Sequence, residues 1–279
     1  MKNFENRVAA ITGAGSGMGR ALAVELTKRG AKVAISDVNE DGLAETERQV
    51  LELEGSVCAH VVNVADQQAV AAWAAAVVAH HDHVHMIFNN AGVALMQRVE
   101  MLRYEDYEWL LNINLWGVIY GTREFLPYLQ QVDEAHIINT ASIFGVVAFP
   151  TQSAYNAAKF AVRGFTEAIG QDLAKTHIRV SCVQPGGVKT GIVKAGRMDL
   201  GDNKGPTPDE LAEQFEQMAA LYPEQAAQII LKGVERNRMR ILVGKDARML
   251  AWMQRIFPER YAKVVNWLSK RGEERMKAR

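Results

Sequence analysis

The sequence predicts an α/β fold: a doubly wound, mostly parallel seven-stranded sheet with helices on both faces. Three observations lead there. Short β-branched or apolar runs alternate with longer helical patterns, a glycine-rich turn directly follows the first such run, and 279 residues at 48% hydrophobic suffice to bury one large core. Alternation of this kind implies parallel strands joined by right-handed crossovers.

The first strand is Val8–Ile11, and the helical pattern after it begins near Met18 and continues through Ala21, Leu22, Leu26 and Lys28. Lys32–Ser36 and Val57–Val62 follow as the second and third strands. Ala69–Val78 has helix-forming composition, and Met86–Phe88 supplies the fourth strand. His136–Thr140 and Arg179–Gln184 are the fifth and sixth strands, and Arg240–Val243 is the last. An insertion from about Thr190 to Tyr222 contains the polar stretch Gly201-Asp-Asn-Lys-Gly-Pro-Thr-Pro208, whose Gly and Pro are expected to interrupt any regular helix. Residues 1–245 are expected to form one domain, with residues 246–279 as an amphipathic helical extension.

Thirty-two basic and thirty-two acidic side chains cancel, so the chain carries no broad field to hold a nucleic acid. Cys58 and Cys182 lie in apolar runs without Cys-x-x-Cys or Cys/His spacing, so buried reduced thiols and no metal site are expected. The start of the chain has no long apolar stretch before its first strand, and no apolar run of about eighteen residues follows. A cytoplasmic protein is the corresponding expectation.

Thr12-Gly-Ala-Gly-Ser-Gly-Met-Gly-Arg20 joins the first strand to its helix. Glycines there let the backbone approach a pyrophosphate, whose charge then meets the amino end of the helix. The spacing is Gly-x-x-x-Gly-x-Gly through Gly13, Gly17 and Gly19, not the general Gly-x-Gly-x-x-Gly. Eighteen residues beyond Gly19, Asp37 ends the second strand beside Ser36, Val38 and Asn39. A carboxylate there accepts from both ribose hydroxyls and repels a 2′-phosphate, which favours NAD over NADP. Further on, Tyr155 and Lys159 lie one helical turn apart, a phenol beside a cation that favours its ionised form.

With Asn89-Asn-Ala-Gly92 after the fourth strand, Ser142 after the fifth and Pro185-Gly186 after the sixth, the chain resembles the short-chain dehydrogenase/reductase family over about residues 5–190. The resemblance implies a Rossmann-type sheet and a hydride exchanged between substrate carbon and a nicotinamide. It implies Tyr155 as general acid/base, Lys159 on the nicotinamide ribose, Ser142 polarising the substrate oxygen, and Asn114 supporting a water chain from the lysine. Its cofactor contacts fall on Gly13, Ser16, Gly17, Met18, Gly19, Asp37, Asn63, Val64, Asn90, Ala91, Gly92, Pro185, Gly186, Val188 and Thr190, together with Tyr155 and Lys159. Position 63, often Asp in the family, is Asn here, which can still bond adenine.

Ligands bind beyond the carboxyl ends of parallel strands, so a substrate wall is expected from Val93, Ala94, Leu95, Met96, Ile143, Phe144, Val146, Val188, Ile192 and Val193. These apolar residues suit a hydrophobic secondary alcohol or ketone, with the 190–222 insertion as a moving cover. A catalytically silent nucleotide-sensing or scaffold protein is the alternative. In the extension, Met249, Leu250, Trp252, Met253, Ile256 and Phe257 share one helical stripe, and Tyr261, Val264, Val265 and Leu268 continue it. Packing on its own domain or a sister subunit is the expected role, with an anionic membrane surface as the alternative. A homodimer or homotetramer is the family expectation.

Overall fold

The computed structural model describes residue 1 and residues 3–201 and 207–266. The middle of the predicted 201–208 loop, Leu268 and the polar end from Lys270 lie outside these described residues. Seven strands form one parallel sheet: β1 (Val8–Thr12), β2 (Lys32–Asp37), β3 (Val57–Val61), β4 (Met86–Asn89), β6 (Ala135–Thr140), β7 (Ile178–Pro185) and β9 (Arg240–Val243). Their spatial order is β3-β2-β1-β4-β6-β7-β9, so the chain reverses direction across the sheet between β1 and β4. That reversal opens a crevice at the carboxyl ends of the strands.

Helices α1 (Gly17–Thr27), α2 (Glu40–Glu52) and α8 (Pro223–Glu235) cover one face, where Leu22, Leu26, Leu43, Val50, Ile230 and Leu231 are buried. On the other, α3 (Gln67–His81) and α5 (Gly117–Leu129) press Trp73 and Phe125 edge to face, with centroids 5.0 Å apart. Strands covered on both sides must be apolar throughout, which is why β1 and β4 are buried along their whole length. The helix carrying Tyr155 and Lys159 is α6 (Ser153–Asp172), beside α4 (Tyr104–Leu111). A π-turn at Asn112–Trp116 joins α4 to α5, an irregularity often found near functional groups.

Three features depart from the sequence expectations. Leu95–Gln97 (β5) and Arg197–Asp199 (β8) pair in parallel as a small second sheet, too short to announce themselves by pattern. Pro208 does not break the insertion's helix but opens α7 (Pro208–Met218), because a missing N–H costs nothing in a first turn. Thr207 and Glu210 close a capping box around that start. The third lies in α9 (Lys245–Ile256), which buries its small residues Ala247 and Ala251 against Ile143, Val146 and Val147. The bulky stripe of Met249, Trp252, Ile256 and Phe257 is left exposed.

Candidate active site

The phosphate end begins with backbone. Gly13 and Gly17 take φ values of +65° and +50°, where side chains other than glycine's are strained. A β-carbon at Gly13 would lie 2.8 Å from Ala91 Cα, and one at Gly19 would overlap the Gly13 carbonyl. The turn is therefore a cradle that only glycine leaves open. Ser16, exposed at the head of α1, makes no side-chain cap bond, so the first turn of the helix faces outward with its amide donors. Met18 is half-buried against the core, and Thr190 reaches across to within van der Waals range of Gly17.

Asp37 stands at the end of β2, its Oδ2 accepting from Gly15 N at 2.8 Å and its Oδ1 from Asn39 N at 3.0 Å. The adjacent cation, Arg20, is turned inward onto the carbonyls of Gly15 and Gly42 and the Thr46 hydroxyl. Across the crevice, Thr12 Oγ1 accepts from Asn90 N at 2.9 Å and Ala91 N at 3.0 Å, fixing the Asn89–Gly92 segment. Asn63 is exposed and closes its own turn by accepting from Ala65 N, while Val64 is buried against Gly117. Pro185 ends β7 and Gly186 lies against Asp246 of α9, whose carboxylate accepts from Gly187 N at 2.7 Å. Val188 is a core residue, so only its backbone is offered to a ligand. An open glycine turn, a helix amino end without a side-chain cap and a strand-end carboxylate together fit a nicotinamide dinucleotide.

The catalytic candidates converge at the carboxyl ends of β4 and β6. Asn114, fully buried in the π-turn, accepts from Val93 N at 2.8 Å and donates to Val93 O at 2.9 Å. A β-carbon on Gly92 would sit 3.2 Å from Asn114 Oδ1 and 3.4 Å from Lys159 Nζ, so both groups close on that glycine. Lys159 Nζ donates to the Thr140 carbonyl at 3.0 Å and lies 5.7 Å from the Tyr155 ring centre. Ser142 accepts from Phe144 N at 3.1 Å, and its hydroxyl is near enough to the Tyr155 phenol to favour the ionised form.

Burial pushes the Tyr155 phenol up to about 12, against the downward pull of Ser142. It pushes Lys159 down to about 8. The sequence leads one to expect the lysine to lower the phenol; here burial dominates and the lowering contact is Ser142. Five expected wall residues also prove to be core: Ala94, Leu95, Ile143, Val146 and Val188 are all buried. Phe144 does face the site, meeting Tyr155 edge on at 6.1 Å and stacking on Phe149 at 5.2 Å.

Two buried polar supports brace the site. Asn156 donates to the carbonyls of Phe144 and Val147 and accepts from Phe149 N, binding the 143–149 loop to α6. Asn89 donates to Asn139 and Thr122, and Asn139 to Thr166, a polar chain across β4, β6, α5 and α6. Asn89 belongs to the Asn89-Asn-Ala-Gly92 segment that the sequence singles out, whereas Asn156, a lone amide on α6, carries no such signal.

The short chain dehydrogenase family model matches residues 7–200. The chain belongs to that family. It is an oxidoreductase, and its fold is the family's Rossmann-type sheet. It is 44% identical over 268 residues to a Mycobacterium tuberculosis protein called oxidoreductase SadH, covering 95% of this chain and 96% of that one. Cyclohexanol dehydrogenase of an Acinetobacter species is 34% identical over 191 residues, covering 68% of this chain and 76% of its own. Among solved structures, a short chain dehydrogenase/reductase from Burkholderia phymatum in complex with NAD superposes with a TM-score of 0.84 at 31% identity, covering 93% of this chain and 96% of that one. A nicotinamide dinucleotide is accordingly the cofactor class. No helix among the described residues is long and apolar enough to cross a membrane.

Proposed function

We propose that this family member interconverts a hydrophobic secondary alcohol and its ketone, using NAD(H). The observation that carries the reading is the gathering of the Tyr155 phenol, the Ser142 hydroxyl that lowers it and a buried Lys159, at the mouth of a crevice walled by Phe144. Bound dinucleotide would supply the hydride acceptor or donor. The chain's own residues handle the proton and the oxygen. In oxidation Tyr155 takes the hydroxyl proton of the substrate; in reduction it returns a proton to the carbonyl oxygen. Ser142 holds that oxygen by donating its hydroxyl hydrogen. Lys159, anchored on Thr140, keeps a cation near the phenol and would hold the nicotinamide ribose.

The amide of Asn114 spends one donor and one acceptor on Val93, which positions the Gly92–Val93 turn and leaves a second N–H and a second lone pair for a water chain from Lys159. NAD is preferred to NADP on the strength of Asp37 and of Arg20, whose guanidinium is already committed to Gly15, Gly42 and Thr46. Phe144, with Val93, Met96, Ile192 and Val193 half-buried nearby in the sequence segments that flank the crevice, favours apolar substrates. The alicyclic alcohol in the name of the Acinetobacter relative agrees with that choice. Association into dimers or tetramers through α4, α5 and α6 completes the reading, since Trp116 and Phe160 are exposed there.

The test is a panel of linear and cyclic secondary alcohols and ketones with NAD(H) and NADP(H), followed at the nicotinamide absorbance. Turnover with NAD(H) on apolar members is expected, falling by roughly 10²–10⁴-fold in Tyr155→Phe. Equal rates in the two proteins would remove Tyr155 from the proton transfer. Preference for NADP(H) would overturn the role given to Asp37. Tight NADH binding with no turnover on any member would instead favour a nucleotide sensor.

A further inference from the structure

At the opposite end of the strands from Tyr155, the structure gathers a thiol and imidazoles that lie far apart in sequence. Cys58 is the second residue of β3, and His80 and His81 end α3, which packs on that strand. Cys58 Sγ is 3.4 Å from His81 Nε2, and the ligand atoms of Cys58, His80 and His81 all lie within 4.8 Å of one another. A tetrahedral zinc with ordinary Zn–S and Zn–N bonds separates its sulfur and nitrogen ligands by about 3.6 Å. The buried pair is therefore already at nearly the spacing a metal imposes.

Two further observations point to a ligand. The Val33 backbone lies beside the His81 ring and favours its protonation against burial, a polar neighbour of the kind that orients imidazoles at metal centres. His60 lies two residues beyond Cys58 and so on the same face of β3, and its Nδ1 is buried with no hydrogen-bond partner among the described residues. It lies close enough to His80 to feel its charge. His80 itself is exposed and can turn inward without repacking. The charged neighbours are Lys32 from β2, Glu47 from α2 and Asp82 after α3, two of them anionic.

We propose that Cys58, His80 and His81 bind a borderline-soft divalent cation of the zinc class, with His60 available as a fourth ligand. On binding, the Cys58 sulfur gives its proton to solvent as the sulfur–metal bond forms, and the imidazoles coordinate as neutral donors. The centre ties the sheet's edge strand to α3. It is structural, remote from the hydride chemistry, and does not depend on the substrate reading.

Tag-free protein cleared of metal with a chelator and titrated with Co²⁺ tests this, with Zn²⁺ as competitor. A saturable thiolate-to-cobalt charge-transfer band, displaced by Zn²⁺, is the expected result. Cys58→Ala should abolish the band, and His80→Ala, at an exposed position that the fold tolerates, should weaken binding at least about tenfold. Zn²⁺ should raise the melting temperature of the wild type and leave that of His80→Ala unmoved. The proposal fails if no thiolate band appears, or if His80→Ala binds as tightly as wild type. It also fails if His83→Ala, rather than His80→Ala, removes binding.

Discussion

Ser142 sits where two demands meet. Its hydroxyl accepts from Phe144 N, which shapes the loop, and its nearness to Tyr155 lowers a phenol that burial raises to about 12. Oxidation needs Tyr155 able to accept a proton, so the rate of oxidation should climb with pH toward the phenol's ionisation. Ser142→Ala removes the lowering contact and the donor to the substrate oxygen together. We expect kcat/KM for oxidation to fall by roughly 10²-fold or more, with its alkaline limb displaced to higher pH. A pH–rate profile measures both effects. An unchanged limb with a lowered rate would confine Ser142 to holding the substrate. Ser142→Thr, which keeps a hydroxyl, should recover part of the loss.

Between elements, one buried carboxylate reinforces the backbone pairing of β8 with β5 in holding the 190–201 segment. Asp106 of α4 accepts from Gln97 of β5 at 2.8 Å, from Arg103 Nε at 2.7 Å and from Arg197 of β8 at 2.8 Å, while Arg197 lies over Trp109 at 4.0 Å. Burial raises the Asp106 carboxyl, but the bonds from Arg197, Arg103 and Gln97 outweigh it and hold the group below the usual carboxylate range. Asp106→Ala should free β8 from the body, raising KM several-fold with a smaller change in kcat, and cost roughly 1–3 kcal/mol of stability. Steady-state kinetics with thermal melts would decide this, and an unaltered KM would reduce the contact to plain structural support. None of it was legible in the sequence. The seven principal strands, the glycine turn, Asp37 and the Tyr155/Lys159 pair could be read because period, spacing and chemistry are local. By contrast, Asp106, Gln97 and Arg197 read as unremarkable polar residues until the fold brings them together, as do Cys58 and His81. The direction of the Tyr155 shift was missed for a related reason: desolvation depends on everything packed around a group, not on its nearest charge.

At the scale of the molecule, one face and one pH range carry predictions. Trp116 is 44% exposed and Phe160 41%, large apolar groups on adjoining helical segments. Sedimentation of the wild type should give a dimer or tetramer, and Trp116→Arg with Phe160→Glu should lower the mass; a monomeric wild type would refute the association. The pH prediction rests on His85 and His136, both buried, where burial pushes the imidazoles from an ordinary 6.5 down to about 4 and about 3. His85 Nδ1 accepts from Val8 N, and His136 Nε2 meets Ser181 Oγ at 2.8 Å, so each ring is held neutral within the sheet's hydrogen-bonding. The unfolded chain takes up these protons near pH 6.5 and the folded chain does not until near pH 4 and pH 3. Their stabilisation is therefore complete above about pH 6.5, is lost progressively as pH falls from there, and is gone once the folded values are reached. Between pH 7 and pH 5 the melting temperature should drop by roughly 5–10 °C, allowing about 1.4 kcal/mol per unit for each group and a few degrees per kcal/mol. His136→Gln should flatten that slope whatever it costs at neutral pH, because glutamine has no proton to gain. A melting temperature constant across this range, or a slope identical in the variant, would mean that other groups govern the acid limit of the fold.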